Sequence, residues 1–394
     1  MSGALGLIAK NRPRIGVVRC GRLAQQHHLS TLLVFLDRSG FDVKLFALQC
    51  PVEDVRSFCA DNPAIEVKQV GEWTGKGVNR FLHGGLALGR CLRTADIDLV
   101  YVVDSWTLRY YTVSLFLFSK LRKTSFVYHT FDMLAPNVAA WYERLLERFM
   151  VRRASFAVVT DRSRAALMKA LYRLPVEPLS VAVRLLHDFL PPPHDAVAKR
   201  RGSLLPHGCK FLVASPTRLS EERVGRSIIK AAAQLPSDYA IVMFAGEERY
   251  TKECIHLADQ LGLGERLVVL PEAPHSEVLL VCAASNVALV FHDESSSLGN
   301  FFCHPSRLSY CVALGIPVVA NAVPSIESVV YRYRLGLCVN PKKLEAISVA
   351  VRNICESHES HEEIKERIKK EFRDELTFEI DGKLLLGRVI NSIN

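Results

Sequence analysis

Nowhere in the 394 residues is there a CxxC pair: the eleven cysteines stand singly from Cys20 to Cys355. Neither a cysteine zinc knuckle nor a disulfide framework is encoded, and a reducing, cytoplasmic setting is expected. Long apolar runs are missing too. The densest, VSLFLF at 113–118 and VLLVCAA at 278–284, fall well short of the roughly 18 residues of a spanning helix. The apolar stretch before Lys10 is shorter than a signal-peptide core and no small-residue cleavage site follows it, so secretion is not expected. The dinucleotide fingerprint needs three spaced glycines, and RCGRLA at 19–24 has one. GEWTGKG at 71–77 is one residue short between its glycines and has Gly77 where a phosphate loop needs Ser or Thr. HExxH, GxSxG and the deaminase pair HxE with CxxC are absent, as is any nucleic-acid-binding module.

Charge is present, and it is unevenly divided. Residues 1–190 hold 26 lysines and arginines against 16 acids, whereas residues 191–394 hold 24 against 25. The first half is therefore expected to face something anionic, or else to present a solvated basic surface.

Short β-branched runs alternate with helix-length segments: 14–19, 42–48, 65–70, 98–103, 125–129 and 155–160 read as buried parallel strands. Helical stretches at 22–38, 79–94, 106–121 and 137–153 separate them, so the unit is βαβ and the first half, 1–190, is a doubly wound domain. Three prolines and a basic cluster with no periodic apolar face place a linker at 191–204. Strand-like runs resume at 210–215, 239–245, 266–270, 286–291 and 316–320, which gives a second Rossmann-like domain over 205–375. The charged run 357–375 has the spacing of a solvated helix, and 376–394 is a last helix able to pack back on the first domain. The fold class is α/β, two tandem Rossmann-like domains whose carboxyl strand ends form one ligand cleft.

The segment NFFCHPSRLSYCVALGIPVVANAVPSIESVV (300–330) sets a Pro-Ser-Arg turn at a helix start. Free N–H groups there, with Arg307 beside them, suit a phosphate. This stretch resembles the donor-site segment of glycosyltransferase family 4, which often reads Asn…Pro-Asn-Lys-Leu-Phe-Glu-Tyr…Ala-Gly-x-Pro-Val-Val-Ala. SPTRLSEERVGRSIIKAAAQL (215–235) is similar to that family's Gly-Arg-Leu…Glu-Lys-Gly segment, and FVYHTFDML (126–134) with 141–167 to its first-domain sequence. The resemblance covers most of the chain and implies the two-domain GT-B fold and retaining transfer of a sugar from a nucleoside-diphosphate donor to a glycan, lipid-linked or small-molecule acceptor, as in surface polysaccharide or glycoconjugate biosynthesis.

Carried over, the resemblance makes Arg218 and Arg223 the diphosphate clamp, so that no metal cofactor is required. Ser306, Asn300, Gly299, Glu294 and Glu327 join Arg307 as donor-side candidates, Glu327 being equally readable as a first-turn helix acid. One position departs from the pattern. Tyr310 stands where many members have the second of two glutamates eight apart, the one that touches the donor ribose, and Phe302 stands at the first. That departure keeps two alternatives open, a nucleotide-sugar epimerase of the same fold and a silent relative that binds a partner.

On the acceptor side, His129 and Asp132 follow a buried strand and are candidates to bind or orient reacting hydroxyls. Arg19, Gly21 and Arg22 form the loop after the first strand, where a small residue admits a phosphate and arginines bind it. Asp104 reads as a cleft residue or as the N-cap of the next helix. RYYTVSLFLFSKLRKTS (109–125) joins aromatics, an apolar helix and basic residues; it reads either as a patch for a peripheral, anionic membrane surface or as a buried crossover.

Overall fold

The computed structural model describes residues 12–23, 27–71, 78–132, 134 and 139–393; residues 72–77 of the near phosphate loop, and the stretch before Lys10, lie outside these. The chain divides into two compact units, one formed by residues up to Ala182 together with the end from Phe378, the other by Val183–Thr377.

In the first unit seven parallel strands make one sheet: β1 (Arg14–Cys20), β2 (Asp42–Leu48), β3 (Glu66–Gly71), β4 (Leu99–Val103), β5 (Ser125–Thr130), β6 (Phe156–Val159) and β7 (Leu179–Ser180). Their order is β3-β2-β1-β4-β5-β6-β7. Strands such as β4, buried at all five positions, are apolar on both faces because helices cover both sides of the sheet. The second unit repeats the plan with β8 (Phe211–Arg218), β9 (Tyr239–Phe244), β10 (Leu267–Leu270), β11 (Val287–Val290), β12 (Val318–Asn321) and β13 (Gly336–Val339), ordered β10-β9-β8-β11-β12-β13. Strands β7 and β13 escape the sequence reading because two and four half-buried residues carry no periodicity. In each sheet the order reverses beside the first strand, between β1 and β4 and between β8 and β11, and ligands bind at the carboxyl ends of strands at such points.

The expected linker at 191–204 is corrected. Residues His194–Leu204 form a helix of the second unit that buries Leu204. The basic residues that hid its periodicity are used in packing: Arg201 donates to the Ala284 carbonyl at 2.7 Å and to Asn286 Oδ1 at 2.9 Å, and Arg200 pairs with Glu277. The charged run forms the helix His361–Glu375, closed by a Ser360–Glu363 capping box and burying Ile364, Ile368 and Phe372 on its inner face. The last helix, Phe378–Ile393, lies on the first unit, with the Phe378 ring edge-on to Phe35 at 5.2 Å. Its Asp381 accepts from the Ala182 amide at 3.0 Å. No helix among the described residues is long and apolar enough to cross a membrane.

Gly246, just past β9, allows the loop after β8 to come close: a Cβ there would stand 1.9 Å from the Leu219 carbonyl oxygen. Backbone cannot yield as a flexible side chain does, so Gly246→Ala is expected to destabilise the second unit by about 3 kcal/mol. A urea unfolding curve checks this, and a midpoint equal to wild type would show that the loop moves freely.

Candidate functional site

In the first unit, Arg19 is the next-to-last residue of β1 and Asp104 follows β4, on the two sides of the sheet reversal. They form an ion pair through Arg19 Nη1, and Asp104 Oδ1 accepts from the Phe131 amide at 2.8 Å. Asp104 makes no cap hydrogen bond to the helix Ser105–Leu117 that it precedes, so the N-cap reading is corrected. Its φ of +67° is one that side chains rarely adopt, and strain of this kind gathers at functional sites. Burial pushes the Arg19 guanidinium below its ordinary value, and its Nε has no partner among the described residues.

His129, at the end of β5, is buried, and that burial takes its imidazole down to about 3. It is neutral at physiological pH and shares a 2.8 Å hydrogen bond with Tyr101 through Nδ1. With Tyr101 donating, the proton sits on Nε2, which has no partner among the described residues. His129 can therefore donate a hydrogen bond, but it is not a cationic acid. His28, unmarked in sequence because a histidine early in an apolar helix carries no signal, packs its ring 4.0 Å from Phe131 and is also held neutral by burial.

Asp132 is exposed, and its negative charge reaches Arg19. Gly21, at φ +94°, turns the loop after β1 with no described atom within 4 Å of where a Cβ would stand. Arg22 is exposed and lies 3.9 Å from Asp54. Beside this loop stand two residues that the sequence did not single out. Arg80 donates to Gln49 Oε1 at 2.9 Å, and its Nε and the Gln49 Nε2 are buried without partners among the described residues.

In the second unit, the helix Ser306–Ala313 begins after Pro305 with no side-chain cap. Ser306 is exposed at its first position, whereas Arg307 is buried. The Arg307 guanidinium donates to the Phe291 carbonyl at 3.3 Å, and no described carboxylate lies within 4.0 Å of it. Burial, then repulsion from Arg223, lowers it to about 10. A buried cation beside a second cation, at a bare helix start, is an arrangement that an anion completes.

The loop after β11 is stapled by Asn321 at the end of β12, a fully buried residue the sequence reading passed over. Asn321 accepts from the His292 amide at 2.9 Å and donates to the His292 carbonyl and to Glu294, each at 2.9 Å. Its signal was a polar residue closing an otherwise apolar strand. Glu294 is thereby fixed with half of its carboxylate committed.

Three donor-side candidates have partners within the second unit. Tyr310 belongs to the core rather than to the open site, its hydroxyl donating to the Pro216 carbonyl at 3.3 Å and its ring edge-on to His275. The Asn300 side chain is occupied by its own loop, donating to Ser296 Oγ at 2.7 Å, while its carbonyl faces His292 Nε2 at 2.8 Å. Arg218 pairs with Glu272 at 3.0 Å on an exposed rim, where such pairs contribute little. Gly299 is buried within the short helix Leu298–Phe301. Glu327, in the first turn of the helix Pro324–Arg332, is half-buried, with no side-chain hydrogen bond or ion pair to any described residue.

Residues 198–371 match the family model described as glycosyl transferases group 1. No curated protein matches the chain in sequence. Among solved structures, a glycosyltransferase from Rickettsia africae superimposes with a TM-score of 0.76 at 12% identity, covering 97% of this chain and 99% of that one. HepE from Anabaena, solved in complex with UDP, gives 0.76 at 16% identity with 96% and 100% coverage. Sucrose-phosphate synthase from Thermosynechococcus elongatus gives 0.72 at 14%, with 97% and 99%. At these identities the likeness establishes the two-domain GT-B fold.

Proposed function

Residues 198–371, most of the second unit, match the model of the glycosyl transferases group 1, and from that premise we propose that the protein is a retaining glycosyltransferase. It takes a nucleoside-diphosphate sugar in the second unit and a hydroxyl acceptor, in glycan or glycolipid assembly, in the first. The observation that carries this reading is Arg307: buried, without a carboxylate, repelled by Arg223 and set at an uncapped helix start.

In the transfer, the bond from the anomeric carbon to the diphosphate oxygen breaks with its electron pair going to the diphosphate. Arg307, Arg223 and the helix N-terminus stabilise that charge as it develops. The acceptor oxygen forms its bond on the face the diphosphate leaves, its proton passing to the departing diphosphate oxygen, so configuration is retained. Neutral His129 offers an Nε2 donor to a hydroxyl, and Asp132 and the Arg19–Asp104 pair position the acceptor side.

Thermal unfolding against uridine-, guanosine-, adenosine- and thymidine-diphosphate sugars tests the donor assignment. Ligand at about 100 times its dissociation constant stabilises by roughly 2.7 kcal/mol, and one nucleotide should stand out. With that donor, sugar consumption is expected to require an acceptor, and the product is expected to keep the donor's anomeric configuration by NMR. Interconversion of the donor sugar without acceptor would replace this reading by an epimerase, and absence of any shift would remove the donor site.

A further inference from the structure

The helix Trp141–Arg153 is apolar on two faces. Inward it buries Met150 and Val151. Outward, Trp141, Leu145 and Phe149 repeat every four residues with Tyr142 beside them, all between 47% and 68% exposed. The neighbouring helix Ser105–Leu117 is tied to it by the Arg109–Glu143 ion pair at 2.6 Å. There Tyr110, Tyr111 and Leu115 are buried, which corrects the membrane reading of 109–125 as a whole, but Trp106, Phe116 and Leu117 stand open to solvent.

Charge on this surface is mostly positive, its exposed acid Asp96 being paired with Lys120 and Arg14. The helix Trp141–Arg153 carries four arginines, and both of its acids are used: Glu143 by Arg109, Glu147 by the hydroxyls of Tyr128 and Tyr172 in the core. The short helix Ser119–Lys123 adds three basic residues and no acid. Apolar side chains ringed by cations, with no free acid among them, complement an anionic lipid surface. Two copies laid together on this face would set arginine against arginine.

We infer that these two helices form a docking face for an anionic bilayer, on which Trp141, Leu145 and Phe149 insert while the arginines meet lipid headgroups. The full-length protein is floated with vesicles of phosphatidylcholine alone and of phosphatidylcholine mixed with phosphatidylglycerol. Two variants are compared, a triple Trp141→Ser, Leu145→Ser, Phe149→Ser and a double Arg148→Glu, Arg153→Glu, each first shown to unfold at the wild-type temperature. Wild type should partition onto the mixed vesicles only, less so at high salt, and each variant should lose at least about tenfold in partitioning. Partitioning onto neither vesicle, or unchanged partitioning of the triple variant, would overturn the assignment. So would a concentration-dependent dimer that the triple variant abolishes. Because the readout is lipid binding rather than transfer, its failure is distinct from failure of the donor site.

Discussion

Replacing Arg307 by methionine is expected to move stability and binding in opposite directions. The folded protein holds this guanidinium at about 10, below its ordinary value, chiefly because it is buried and next because Arg223 repels it. A base whose folded value is depressed is disfavoured in its charged form, and at every pH below that value the whole cost is present. At about 1.4 kcal/mol per unit, that cost is on the order of 3 kcal/mol near neutral pH. Methionine keeps an unbranched stem in the core and removes the charge, so the ligand-free second unit should gain about 1–3 kcal/mol. The same change removes a charge-assisted hydrogen bond to phosphate, worth about 2–3 kcal/mol, and should weaken nucleoside-diphosphate binding roughly 30- to 150-fold. Urea unfolding without ligand and calorimetric titration with the nucleotide read the two effects separately. If both fall together, Arg307 is a packing residue; if affinity holds, the anion binds elsewhere.

That opposition marks how far the chain could be read from its letters. Strands such as β4 and β9 were legible because a parallel sheet covered on both sides leaves unbroken apolar runs. Arg307 was legible because a Pro-Ser-Arg helix start has chemical meaning before it has coordinates. Tyr310, three residues on and so on the same helical side, carried the same positional signal, yet its side chain reaches the Pro216 carbonyl and the core. Spacing gives a residue's face and not the depth at which its polar atom ends. The Asp104 ambiguity resolves for a related reason: cap and ion-pair roles draw on the same carboxylate, and which one it fills depends on Arg19, 85 positions earlier. Arg80 and Gln49 lacked even an ambiguous signal, since each has its role through a partner 31 positions away.

Glu147 is the second place where burial sets a measurable sign. Its carboxylate lies in the first-unit core and accepts from the hydroxyls of Tyr128 and Tyr172, yet burial outweighs those bonds and raises it to about 7. For an acid raised in the folded state, the fold binds the extra proton between the ordinary glutamate value and about 7. Stability therefore falls as pH rises through that window and levels off above it, by a total on the order of 3 kcal/mol. His28 and His129, both lowered to about 3, act the other way, since the unfolded chain protonates first as pH drops below their ordinary value. The wild-type profile mixes the two, and the difference between wild type and Glu147→Gln isolates the carboxyl. A glutamine amide still serves both tyrosines, accepting from one and donating to the other, so at pH 8 the variant should be more stable by about 1–3 kcal/mol. At pH 5, where the folded carboxyl is already neutral, the gap should shrink toward zero. Urea unfolding of both proteins at the two pH values tests this, and parallel profiles would mean that water or a cation reaches the carboxylate. Since Tyr128 precedes His129 on β5 and Glu147 lies on the helix with the basic apolar face, this one core carboxyl braces the strand that carries His129 against the proposed lipid-docking helix.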